Sequence, residues 1–281
     1  GTKGKDRTEE MVLNMLYKLL LICLLTATCA TNLRSQEEIE QLLQCGENAY
    51  NSGNYQVAER CYKMIVQQQS KTPGKEHDYL NNLKILLNIQ QRLGSYVQGD
   101  SLCVQGLEFA ERRFGVKSEE YMDVMLYTCR LKVEQSAWKE ALQPLNTVIL
   151  HRKDKYGADS FEYAEAISVL VQAKTLASEL EEARQLADKV AAIYKKIKGE
   201  VSTEYATSLT LLGNIAIYQH KIDEAYTYYI RSRELNSRLF GDKHIETLRI
   251  NIYLSTAFGY MGKHQDGINL LEETLPVLKE S

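Results

Sequence analysis

Six hydrogen-bonding side chains recur along this 281-residue chain at near-constant spacing: Glu47, Asn88, Arg130, Gln172, Asn214 and Thr256, separated by 41, 42, 42, 42 and 42 residues. Three or four residues beyond four of them stand Tyr50, Arg92, Tyr218 and Tyr260, which share a face with them if the segments are helical. Amide groups satisfy N–H and C=O partners without demanding a particular side chain opposite. Tyrosines add contact area at small entropic cost. The chemistry in view is therefore recognition. For covalent catalysis or metal binding the sequence offers little. The five histidines, His77, His151, His220, His244 and His264, include no HExxH pair, and there is no CxxC, GxSxG, GxxxxGK[ST] or GxGxxG pattern. His220 and His264 read as turn residues, His77 and His244 as helix-start residues. Neither a metal nor a cofactor is expected, and a stand-alone hydrolase has no motif in its support.

The elements that must position these side chains follow from two further repeated series. Tyr55, Tyr96, Trp138, Leu180, Ile222 and His264 each precede a small residue by three positions: Ala58, Gly99, Ala141, Ala183, Ala225 and Gly267. Out of phase with these run Gly74, Gly115, Gly157, Gly199 and Gly241. Both series lose one residue in the same stretch, so one deletion near His77 accounts for both. A fixed period in the range of about 20–50 residues marks a repeat architecture. Within residues 202–241, Leu209, Leu212, Ile215 and Ala216 form an apolar stripe at helical spacing, and His220-Lys221 interrupts it. A second helical pattern then runs from Ile222 to Leu239 and stops at Phe240-Gly241. Ser118, Ser160 and Ser202 are placed to cap first helices, with Tyr121, Tyr163 and Tyr205 as wedges three residues on. The boundary glycines are expected to end the second helices in the left-handed conformation.

Leu212-Gly213 with Ala225 and Tyr229, and Gly46, Gly53-Asn54-Tyr55, Ala58 and Tyr62 in the first unit, resemble the tetratricopeptide repeat. Units of 42 residues resemble its kinesin-light-chain subgroup, and also bacterial exported arrays and those that precede caspase-like CHAT peptidase modules. Leu180 and Ile222 depart from the usual turn aromatic. The resemblance implies an all-α fold, a right-handed superhelical solenoid of about six helical hairpins, with units near 37–74, 75–115, 116–157, 158–199, 200–241 and 242–281. It also implies a non-enzymatic scaffold for a protein or peptide, held along a concave groove by Lys84, Asn88, Arg92, Arg130, Gln172, Asn214, Tyr218, Thr256 and Tyr260. Lys84 with Asn88 resembles half of a carboxylate clamp. Asp123, Tyr127 and Glu165 stand where the other half would be.

A net charge of −3 and the absence of a long basic run give nucleic acid no footprint. Lys18, the apolar run Leu19–Leu25 and the small residues Thr28 and Ala30 match a secretory signal, with residues 1–10 as an upstream extension and 31–281 as the array. The protein is then exported, periplasmic or secreted, with no membrane span after cleavage. A lipid anchor at Cys29 is the alternative, to which Thr28 is a poor fit. A third reading is an apolar helix packed on the array. Cys45 and Cys61 each lie eight residues from Gly53, so a hairpin turning there sets them at similar heights, either as buried thiols or as a bridge. At the other end, Leu270, Leu271, Leu275 and Leu278 either leave an apolar stripe exposed or are followed by more chain. In the second case the array is the sensory front of a protein with a peptidase, kinase or DNA-binding module.

Overall fold

The structure, a computed structural model, describes residues 36–280. The expected signal segment, Cys29 and the other residues of 1–35 lie outside them. Within the described residues there are twelve α-helices and no strand. They are α1 (36–51), α2 (Tyr55–Gln69), α3 (Glu76–Leu93), α4 (Tyr96–Phe114), α5 (Glu119–Glu134), α6 (Trp138–Tyr156), α7 (Phe161–Leu176), α8 (Leu180–Lys198), α9 (Thr203–Tyr218), α10 (Ile222–Phe240), α11 (Ile245–Tyr260) and α12 (His264–Glu280). Each odd-numbered helix pairs with the next to form a hairpin. The odd helices α3, α5, α7 and α9 also pack in succession along one side. This is a solenoid, in which each unit buries apolar surface against its neighbours.

Local chemistry sets the helix ends. Ser118, Ser160 and Ser202 each accept a hydrogen bond from the backbone N–H three residues on, at 3.1, 3.2 and 3.3 Å, and donate to the carbonyl of the boundary glycine before them. His244 caps α11 differently, its Nδ1 accepting from Glu246 N at 3.2 Å. His77 does not cap. It lies inside α3, against the Phe114 ring and 3.4 Å from Glu120. Gly115, Gly157, Gly199 and Gly241 have φ of 87–97° and ψ of 159–172°, so they occupy an extended positive-φ region and not the left-handed helical one expected of them.

A third periodic series emerges only from the backbone. The residue that reverses the chain within each hairpin is Gly53, Gly94, Ser136, Ser178, His220 or Gly262, always with φ between 57° and 79°. Three of the six tolerate this with a side chain attached. That explains why no invariant glycine marks the turn in the sequence.

The core runs along the array in three clusters, centred on α1–α5, α5–α10 and α9–α12. The first contains two residues from the far end of the chain: Ile245 is a buried member, and Leu278 packs on it. The array therefore coils back on itself. Leu270 packs on the third cluster, whereas Leu275 is 41% exposed, so only part of the expected apolar stripe faces solvent. Cys45 on α1 and Cys61 on α2 are free thiols in contact, Cys61 Sγ lying 3.1 Å from Cys45 Sγ.

Candidate functional site

The coiling places a hollow of ≈ 830 Å³ inside the array, lined mainly by α3, α5, α7, α9 and α11. Arg92, Gln172, Asn214, Tyr218, Thr256 and Tyr260 all line it. They arrive there because residues 42 apart occupy the same position on successive parallel helices. Tyr218 and Tyr260 are 49% and 59% exposed, so both rings are open to a partner. Lys84, Asn88 and Arg130 are not among the lining residues and are engaged elsewhere. Lys84 Nζ lies 2.7 Å from Asp123, Asn88 Oδ1 accepts from the Tyr50 hydroxyl at 2.9 Å, and Arg130 pairs with Glu165 at 3.4 Å over the Tyr127 ring. The half-clamp is thus closed internally by Asp123.

The lining is broader than a single side chain per unit. Thr207, Thr210, Tyr253 and Arg249 also face the hollow. They stand three, four or seven residues from Asn214 or Thr256, one helical face extended by a turn or two. That periodicity was present in the sequence, and extending the series back by three, four and seven residues along the first helices would have found them. Asn214 has a second task, since its Oδ1 accepts the hydroxyl of Tyr229, a fully buried ring, at 2.8 Å.

Where the two ends of the array meet, charge and packing combine. Arg92 is ion-paired with Glu246, the Tyr55 hydroxyl donates to Glu246 Oε1 at 2.6 Å, and His244 Nε2 lies 3.1 Å from the Asn51 carbonyl. Burial pushes the Glu246 carboxyl up, but Arg92, Arg249 and the Tyr55 hydrogen bond outweigh it and hold the group below the usual carboxylate range. On the adjacent wall, burial dominates at Glu134 and raises its carboxyl, although Gln91 donates to it and three arginines oppose the shift.

Away from the hollow, Arg152 on α6 is 3% exposed and joins Glu119, Asp123 and Glu165, at 3.8, 2.7 and 2.8 Å. This network ties α5, α6 and α7 together. Burial raises the Cys103 and Cys129 thiols to about 11 and about 12, which leaves them protonated and unreactive near neutral pH. Among the described residues, no group of three or more His, Cys, Asp and Glu is placed to hold a metal ion, and no helix is long and apolar enough to cross a membrane.

Comparison with known proteins agrees with this architecture. Residues 204–280 match the tetratricopeptide repeat family. No curated protein matches the chain. Among solved structures it is similar to BtubC (BKLC) from P. vanneervenii, at 14% identity and TM-score 0.54, over 86% of this chain and 90% of that one. It is also similar to a Rap protein complexed with Competence and Sporulation Factor, at 14% identity and TM-score 0.63, over 86% and 69%. A Podosopora anserina putative kinesin light chain with nearly identical TPR-like repeats matches at 17% identity and TM-score 0.50, over 70% and 93%. At these identities the likeness is one of fold. The described array as a whole has the fold of a tetratricopeptide-repeat solenoid.

Proposed function

We propose that the chain is a non-enzymatic scaffold that holds an extended protein segment or short peptide in the hollow of its array. The observation that carries this is the convergence of Arg92, Gln172, Asn214, Tyr218, Thr256 and Tyr260 on one lined space. Amide and hydroxyl groups at a regular step along the wall match the regular N–H and C=O groups of an extended backbone, and exposed tyrosines supply area. The fold of the Rap protein complexed with Competence and Sporulation Factor supports a partner of this kind.

Tyr218→Ala with Tyr260→Ala tests the reading without touching the core. Asn214→Ala is the poorer test, because it strands the buried Tyr229 hydroxyl at a cost of about 1–3 kcal/mol. Against a randomised heptapeptide library, the double tyrosine variant is expected to retain bound peptides at least about tenfold more weakly, with its melting temperature unchanged. Equal affinity would move the site out of the hollow.

The reading includes export, supported by Lys18, Leu19–Leu25 and Ala30. Export would bring Cys45 and Cys61 into an oxidising compartment. Non-reducing peptide mapping of the protein from its native host is expected to show a mature N-terminus at Thr31 and a Cys45–Cys61 link. In vitro, forming that link is expected to stabilise the first hairpin by about 2 kcal/mol. An intact N-terminus with both thiols reduced would place the protein inside the cell.

A further inference from the structure

Arg249 differs from Arg92, the other arginine on the lining, and from Arg130 on α5. Arg92 is ion-paired with Glu246, and Arg130 with Glu165. Arg249 lines the hollow from α11, half-buried. Its side chain has no hydrogen bond and no ion pair with any described residue. It acts on Glu134, Glu246 and Tyr96 only through longer-range charge. A guanidinium offers five N–H donors in a planar fork that fits a carboxylate with two parallel bonds.

The surrounding charge narrows the occupant. Arg92, Arg249, Glu134 and Glu246 all belong to the lining, so these four formal charges balance. A single negative charge matches the one unpaired guanidinium, whereas a doubly charged phosphate would add a second negative charge that Glu134 and Glu246 on the same lining repel. Gln172 and Thr256 on the same lining can take the backbone on either side of the charged group.

We propose that Arg249 is the anchor for one carboxylate of the bound segment, supplied either by its free C-terminus or by an Asp or Glu side chain. This rests on the hollow being the binding site. The test uses the full chain and two randomised heptapeptide libraries, one ending in a free carboxylate and one amidated, with retained peptides identified by mass spectrometry. The wild-type chain is expected to retain peptides that carry a carboxylate. Arg249→Gln is expected to weaken them about tenfold or more with an unchanged melting temperature, and Arg249→Lys to restore part of the loss. Retention confined to the free-acid library assigns the terminus. Retention in both libraries, with an acidic residue at one position, assigns the side chain. Retained peptides that are neutral and amidated, or equally bound by Arg249→Gln, overturn the anchor while the groove reading stands. If neither library yields a retained peptide, both readings fall.

Discussion

Arg152→Met is expected to destabilise the array by about 3 kcal/mol, read as a lowered urea midpoint and as faster amide exchange in α5–α7. The guanidinium is nearly inaccessible and is shared by three carboxylates on two neighbouring helices. Methionine fills much of the volume but leaves Glu119, Asp123 and Glu165 crowded without their common cation. Breaking a buried pair from one side costs about 3–5 kcal/mol. The lower end applies here, because each carboxylate keeps 21–25% exposure and some hydration. Arg113→Met, whose side chain is 58% exposed and 3.9 Å from Glu76, is the control and should move the midpoint by no more than about 0.5 kcal/mol.

The loss at Arg152 has a pH signature of fixed sign. At Glu165, burial raises the carboxyl but Arg130 and Arg152 more than reverse this, and its affinity for protons ends below the usual carboxylate range. Glu119 is likewise lowered, with Lys155, His151 and Arg152 overcoming burial. A carboxylate that holds its proton less tightly when folded adds stability above its unfolded pKa, about 4.3. It loses that contribution as pH falls through the folded value. Wild type and Arg152→Met should therefore converge in stability as the pH drops below about 4. A constant gap down to that pH would show that lost packing, and not charge, is what the substitution removes.

Gly53→Ala and Gly94→Ala form a matched pair with unequal outcomes. Both glycines reverse the chain within a hairpin at positive φ, 79° and 65°. An added Cβ strains either backbone by about 1–2 kcal/mol. At Gly94 the new methyl meets nothing within 4 Å. At Gly53 it would sit 2.5 Å from Ile245 Cγ2, on the opposite end of the array. Gly53→Ala should therefore cost about 1–3 kcal/mol more than Gly94→Ala, and it alone should raise the radius of gyration in small-angle scattering as the two ends part. Equal stability and equal dimensions in the two variants would mean that the contact between the ends contributes nothing in solution. Peptide binding by the Gly53→Ala chain also reports whether the hollow needs its ends together.

The primary sequence alone determined the repeat. Apolar residues at helical spacing, serines that cap and boundary glycines in phase left paired helices as the only consistent arrangement, because each signal acts within a few residues of itself. The same period placed Gln172, Asn214 and Thr256 on one wall, since equal steps along a repeat become one surface when the units stack. What lay beyond the sequence depends on how much each unit rotates against the next, a quantity set by packing between helices and summed over the whole array. That rotation brings Glu246 to Arg92 and Tyr55, seats Ile245 on Gly53 and covers the first core cluster with Leu278. The sequence showed Lys84, Asn88 and Arg130 only as groove candidates, because their carboxylate and hydroxyl partners belong to neighbouring helices. Arg249 was one arginine among many until the tertiary structure left it on the lining of the hollow with no ion-pair partner among the described residues.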